Sequence, residues 1–207
     1  MPLYLKNTQP LFGIWKIEET KEELLDLLDK KERYIPYLEK KTNESRKKEW
    51  LAVRVLLKEL LRKEVEIHYH KNGAPYLLNA STSISISHTK GYVAVIISNT
   101  PYTGIDIEYR SDRILKICSR FLNEEENQNL DVQNKVDHAL IYWCAKETLF
   151  KMIPEQEIDF ANHLHIQPFQ YTLSGVLNAI ETRTKASQRF QLNYLVTPEF
   201  VMTYNNE

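Results

Sequence analysis

The chain has 207 residues, 43% of them hydrophobic, with 27 Lys and Arg against 28 Asp and Glu and a formal net charge of −1. That length allows one sizeable core or two small domains, and the balanced charge gives no overall electrostatic reason to expect nucleic acid or an anionic membrane as partner. Two cysteines without CxxC spacing, no charged start leading into an apolar run, and no apolar run near the roughly 20 residues of a membrane span predict a soluble protein of a reducing, cytoplasmic compartment.

In chain order, LFGIWKIEE reads as a strand with mixed alternation, and KEELLDLLDKKERYI as a helix with Leu24, Leu27 and Leu28 on one side. TNESRKKEWLAVRVLLKELLRK reads as a strong helix. Thr42 or Asn43 caps it, and Trp50, Val53, Leu57, Leu60 and Leu61 form its apolar stripe. VEIHYH, PYLL, STSISIS and YVAVIIS are strand candidates, the last two joined by an HTKGY turn in which Gly91 supplies the permissive backbone.

After SNTPYTG the order partly recurs. The strand GIDIE leads to a helix over DRILKICSRFLNEEE and a second helix over DHALIYWCAKETLFKMI, which Asp137 is placed to cap. HLHIQPF, RFQLNYLV and FVMTYN are then strands. The recurrence predicts an α+β fold of two similar halves in tandem, related by a pseudo-two-fold. Each half is a long helix on a small, mostly antiparallel sheet, the first over residues 1–101 and the second over 102–207.

Only five glycines occur, and none forms GxxxxGK or GxGxxG; GxSxG and HExxH are absent too. The chemistry concentrates elsewhere. In TGIDIEYR, Asp106 and Glu108 alternate with Ile105 and Ile107, so both carboxylates project from one strand face about 6–7 Å apart. Such a pair is either a solvated strand edge or a site for a hard divalent cation, which takes oxygen ligands. Glu147 shifts that balance. It lies among Trp143, Cys144 and Phe150, where an ionised acid is costly without compensation, and Lys146 and Lys151 flank it. An ordinary Glu147–Lys151 helix pair is the bland alternative. Three acids and two lysines together could hold one Mg²⁺ and a diphosphate. His88 ends the strand SISISHT, where ligand contacts are favoured, and Arg46 and Arg54 sit on the first long helix.

GIDIE followed by WCAKETLFK some forty positions on, and preceded by SISISHT and a helix with spaced arginines, resembles the 4′-phosphopantetheinyl transferases. The likeness is to the larger, monomeric type that activates surfactin-synthetase and other peptide-synthetase or fatty-acid carriers. The motifs run from about Arg46 to Lys151. The resemblance implies that Asp106, Glu108 and Glu147 bind Mg²⁺, with Mn²⁺ as a substitute, and that Glu147 helps deprotonate a carrier serine. It implies that Lys146 and Lys151 contact the diphosphate of coenzyme A, with Lys151 donating a proton to the leaving phosphate. Ser87, His88, Arg46 and Arg54 then contact the coenzyme, His88 near its 3′-phosphate, and Glu126 matches an acid whose role is less settled. The N-terminal half takes the nucleotide and the C-terminal half the metal and the catalytic helix. The activity implied is Mg²⁺-dependent transfer of phosphopantetheine from coenzyme A to a serine of an apo acyl or peptidyl carrier protein. Adenosine 3′,5′-bisphosphate is released, as by a holo-acyl-carrier-protein synthase acting as a monomer. The carrier implied is an acidic helical protein, and Arg113, Lys116 and Arg120, at i, i+3 and i+7 of a helix beside Arg110, offer it one basic face.

One departure stands out. The family usually carries Gly-Lys-Pro or Gly-Arg-Pro before the SISISHT strand; here NGAPYL puts Ala74 at the basic position. A charge-assisted phosphate contact worth roughly 1.5–3 kcal/mol is then missing, unless Lys71 replaces it. That departure supports the alternative of a weakened coenzyme or carrier binding module of the same fold. A zinc site is a further alternative, because His68 with His70 and His163 with His165 each place two imidazoles on one strand face. No cysteine lies near either pair in sequence, and solvated strands account for both.

Overall fold

The computed structural model describes residues 3–78, 81–153 and 157–205. Contacts divide the chain into two units, Met1–Thr100 and Pro101–Glu207. Each is α+β, with one 18-residue helix lying on an antiparallel sheet.

The first unit opens with a hairpin, β1 (Leu3–Thr8) and β2 (Leu11–Lys16), followed by two short helices, α1 (Lys21–Asp26) and α2 (Ile35–Lys40). The single helix expected over 21–35 breaks after Asp26. Thr20 and Glu23 start it with a reciprocal capping box, but Glu64 takes the backbone N–H groups of Asp29 and Lys30. A distant carboxylate thus outbids helix propensity for those donors. The long helix α3 (Glu44–Leu61) is capped by Asn43, whose side chain accepts from Arg46 N–H. It lies on β2 and on β6 (Tyr92–Ser98). Gly13 permits that approach, since a Cβ there would stand 2.8 Å from Leu56 Cδ1. With β3 (Ile67–Tyr69), β4 (Pro75–Leu77) and β5 (Ser83–Thr89), the sheet order is β1-β2-β6-β5-β4-β3. Trp15, Leu24, Leu51, Leu56, Val93 and Val95 fill the space between helix and sheet.

The second unit begins with β7 (Ile105–Tyr109). The segment Asp112–Arg120, expected as an α-helix, is a 3₁₀ helix, and only Glu124–Gln128 (α4) beyond it is α-helical. The long helix α5 (Lys135–Met152) follows Asn134. Asp137 lies inside its first turn and does not cap it; its carboxylate instead takes both Nε and Nη2 of Arg110 at 2.7 Å and the Tyr171 hydroxyl at 3.0 Å. A short α6 (Phe160–His163) leads into β8 (Leu164–Ile166), β9 (Ser174–Glu181), β10 (Arg189–Val196) and β11 (Phe200–Asn205). The sheet order is β7-β11-β10-β9-β8, antiparallel throughout. Helix α5 packs on β7 and β11. Gly104, just before β7, is needed there, because a Cβ would come within 2.5 Å of Thr148 O on α5. Among the described residues no helix is long and apolar enough to cross a membrane.

Candidate active site

Strand alternation buries Ile105 and Ile107 and turns Asp106 and Glu108 to the face on which α5 lies. Trp143, Glu147 and Lys151 follow one another at i, i+4 and i+8, a single stripe of that helix. The two ends of the stripe are tied to the strand. Trp143 Nε1 donates to Glu108 Oε1 at 3.0 Å, and Lys151 Nζ donates to Asp106 Oδ1 at 2.7 Å and to Ile105 O at 2.9 Å. Glu147 is midway between these ties.

The electrostatics follow from that placement. Burial pushes the Glu147 carboxyl up to about 7, the Asp106 charge adds to the rise, Lys151 opposes it, and Glu108 raises it further. Three carboxylates therefore share a partly buried place with one lysine among them. Among the described residues no three His, Cys, Asp or Glu side chains stand arranged as a ready metal cage. The donor set nonetheless suits a hard divalent cation: it is all oxygen, and its three carboxylates outnumber the one lysine among them. Burial pushes the thiols of Cys118 and Cys144 up, so neither is activated as a nucleophile.

Lys146 is not brought to these acids, contrary to the diphosphate contact that the motif suggests. It is fully buried, and its ammonium donates to Glu126 Oε2 and Phe121 O, both at 2.6 Å, and to Phe160 O at 3.0 Å. One residue along an α-helix is about 100° around it, which carries Lys146 off the stripe that holds Glu147. Glu126, its partner, also accepts from Asn123 N and Ile166 N. Trp143, which sequence reasoning read only as apolar context, is the residue that ties this helix to Glu108. Its spacing four residues before Glu147 was the available signal.

The first unit holds the other residues expected to contact the coenzyme. A cavity of about 430 Å³ is lined by Arg46, Glu49, Trp50, Arg54, Tyr69 and His88, among others. Arg46 Nη1 lies 3.1–3.2 Å from both ring nitrogens of His88 and 3.0 Å from Glu49 Oε2. Arg54 is buried against the face of Trp50, 3.3 Å from the ring centroid, and donates to Trp50 O at 2.8 Å. Tyr37 stacks on the same indole at 3.9 Å. Ile86 and His88 share the face of β5 that borders this cavity. Ser87 points to the other face, where it is buried, and is not part of the lining. Lys71 and Ala74 lie in the turn between β3 and β4, outside the lining; Lys71 is exposed. Glu49, which sequence reasoning did not single out, is the acid that balances Arg46 and His88 here.

Arg113, Lys116 and Arg120 are all exposed. A 3₁₀ helix has three residues per turn, so Arg113 and Lys116 stand above one another while Arg120 is a third of a turn away. The basic surface is therefore broader than a single α-helical stripe. Arg110 is occupied by Asp137. His68 and His70 pack against Tyr76, and His163 lies in α6 with its Nδ1 accepting from Asp159 N.

Residues 102–204 match the family model of the 4′-phosphopantetheinyl transferase superfamily. No curated protein matches the chain.

Proposed function

Through residues 102–204 the chain belongs to the 4′-phosphopantetheinyl transferase superfamily, and from that premise we propose that it transfers phosphopantetheine from coenzyme A to a serine of an apo acyl or peptidyl carrier protein. The observation that carries this reading is the stripe Trp143–Glu147–Lys151 laid over Asp106 and Glu108. Asp106, Glu108 and Glu147 would hold the Mg²⁺. Bound there, the ion would supply charge stabilisation for a diphosphate and its developing oxyanions.

In this reading the carrier hydroxyl attacks the phosphorus that bears the pantetheine arm, and the bond to the nucleotide phosphate breaks. A hydroxyl needs a base at neutral pH, and a carboxylate beside the attacked phosphorus is a suitable acceptor for its proton. Glu147 takes that role. Lys151, which donates to Asp106, neutralises the leaving adenosine 3′,5′-bisphosphate, donating the proton the leaving oxygen needs. Lys41, Arg46 and Arg54 against the one acid Glu49 leave the first unit's cavity cationic, as the phosphorylated nucleotide end of the coenzyme requires, and His88 borders it. Arg113, Lys116 and Arg120 receive an acidic carrier. The larger, surfactin-synthetase-activating type and a monomeric, cytoplasmic enzyme belong to the same proposal.

The test is the intact mass of an apo acyl carrier protein incubated with the chain, coenzyme A and Mg²⁺. A gain of one phosphopantetheine, lost on adding a chelator, is expected. No gain on several carriers, with coenzyme still bound, would leave a binding module instead.

A further inference from the structure

We infer that Lys146 is a positioning residue: its buried ammonium holds the two aromatic residues that grip Trp143, and through the indole N–H it fixes the Glu108 carboxylate. All three of its donors are spent, on Glu126 Oε2, Phe121 O and Phe160 O. The two carbonyls belong to residues whose rings flank Trp143. The Phe121 ring meets the indole edge-on, with centroids 5.1 Å apart, and the Phe160 ring lies 5.6 Å away at a tilt of 32°. Trp143 Nε1 then donates to Glu108 Oε1 at 3.0 Å. One ammonium thus sets both walls of the slot in which the indole sits, and the indole sets the carboxylate.

The counter-ion is equally committed. Glu126 is 2% exposed; its Oε2 accepts from Asn123 N at 3.0 Å and its Oε1 from Ile166 N at 2.9 Å. It thereby ties the start of α4 and the end of β8 to the same ammonium. A buried ion pair returns little net stability compared with apolar residues of the same volume, so its consequence is geometric. Reaching a diphosphate would require Lys146 to give up its buried bonds to Glu126 and Phe121 O and its bond to Phe160 O, a costly exchange. That Glu108 serves a reaction rests on the transferase reading; the clamp on Trp143 does not.

The experiment follows the indole N–H of Trp143 by ¹H–¹⁵N spectroscopy and hydrogen exchange, with Trp15 and Trp50 of the first unit as internal references. In Lys146→Met the Trp143 indole proton is expected to exchange at least about tenfold faster, as its closed state is less favoured, while Trp15 and Trp50 stay unchanged. An unchanged Trp143 exchange rate in a folded Lys146→Met protein overturns the inference. If that variant does not fold, Lys146→Met/Glu126→Gln, which leaves no buried charge alone, carries the same test. In transfer assays, Lys146→Met and Trp143→Phe should each raise the Mg²⁺ concentration for half-maximal rate, with strongly non-additive effects when combined; additive effects would also overturn it. The exchange measurement needs neither coenzyme nor carrier, so its failure and the failure of the transferase reading are separate results.

Discussion

Glu147 links the chemistry to the stability of the fold. Its carboxyl keeps a proton up to about pH 7 in the folded chain and releases it near the ordinary glutamate value when unfolded. The folded state therefore binds more protons across that window, and its stability falls as pH rises through it. Glu147→Gln removes the penalty. In metal-free protein the variant should gain about 3 kcal/mol at pH 8, since each tenfold change in proton affinity is worth roughly 1.4 kcal/mol, and nothing at pH 4, by urea melts at both pH values. Transfer should fall at least about 100-fold in the same variant. Ala74 makes the opposite kind of test. It is partly exposed in the β3–β4 turn, so Ala74→Lys adds a cation without disturbing the core. Coenzyme A should bind roughly tenfold tighter by calorimetry, as one charge-assisted contact implies; equal affinity would show that the family's basic side chain is not missed here. Asp106 with Glu108, and Glu147 by itself, were legible because strand alternation and apolar neighbours are local facts; joining the helix acid to the strand pair rested on the family resemblance. The direction of Lys146 was not legible, since a residue beside Glu147 in sequence faces elsewhere on the helix and only its distant acceptors reveal where.

At the scale of elements, β5, β6, β7, β10, β11, α3 and α5 were readable from periodicity, and Asn43 from cap chemistry. Two failures share one cause: tertiary partners chose. Glu64 ended α1 and Arg110 drew Asp137 out of the cap, while the segment after β7 wound as a 3₁₀ helix in place of the α-helix read there. Strand β9 was missed because Gly175 and exposed Val176 blur its alternation; Gly175 is needed where Tyr194 packs 2.9 Å from the place of a Cβ. The contact of β7 with α5 is tighter still. Gly104→Ala would drive a methyl into the backbone of α5 and should cost about 2–3 kcal/mol, with a matching loss of transfer, whereas the close contacts of Gly13→Ala are the side-chain ends of Leu56 and Leu60 rather than backbone, and it should cost less. The 3₁₀ segment makes its own prediction. Reversing charge at Lys116 and Arg120 should raise the carrier's KM severalfold while leaving that for coenzyme A unchanged, and equal effects on both would argue against a docking surface.

Over the whole molecule, two units with separate cores carry two kinds of site: a cationic, aromatic cavity in the first and an acidic helix–strand face in the second. The duplication of architecture was visible in the repeating order of elements. The cavity was not, because its walls come from α2, α3, β3 and β5, which no single stretch of sequence contains. The pH response of the whole chain has a second contributor. His138 is buried, its Nδ1 accepts from Asp131 N, and burial pulls its pKa down while Asp131 opposes. The unfolded chain binds the proton more readily, so this residue lowers stability as pH falls below about 6.5, opposite in sign to Glu147. Removing Glu147 should therefore leave a chain whose melting temperature rises between pH 5 and pH 7.

The stripe on α5 also limits which insertions and deletions the gene can tolerate. Deleting one residue anywhere from 144 to 146 turns everything after it by about 100°, swinging Glu147 and Lys151 away from β7 while Trp143 stays attached to Glu108. Deleting one from 148 to 150 would strand Lys151 alone. The nine-residue span from Trp143 to Lys151 behaves as a ruler of fixed length. By contrast, the hairpin connection after Glu181, organised by that one carboxylate through Thr184 and Gln188, has no such register to keep and is where length variation would be absorbed.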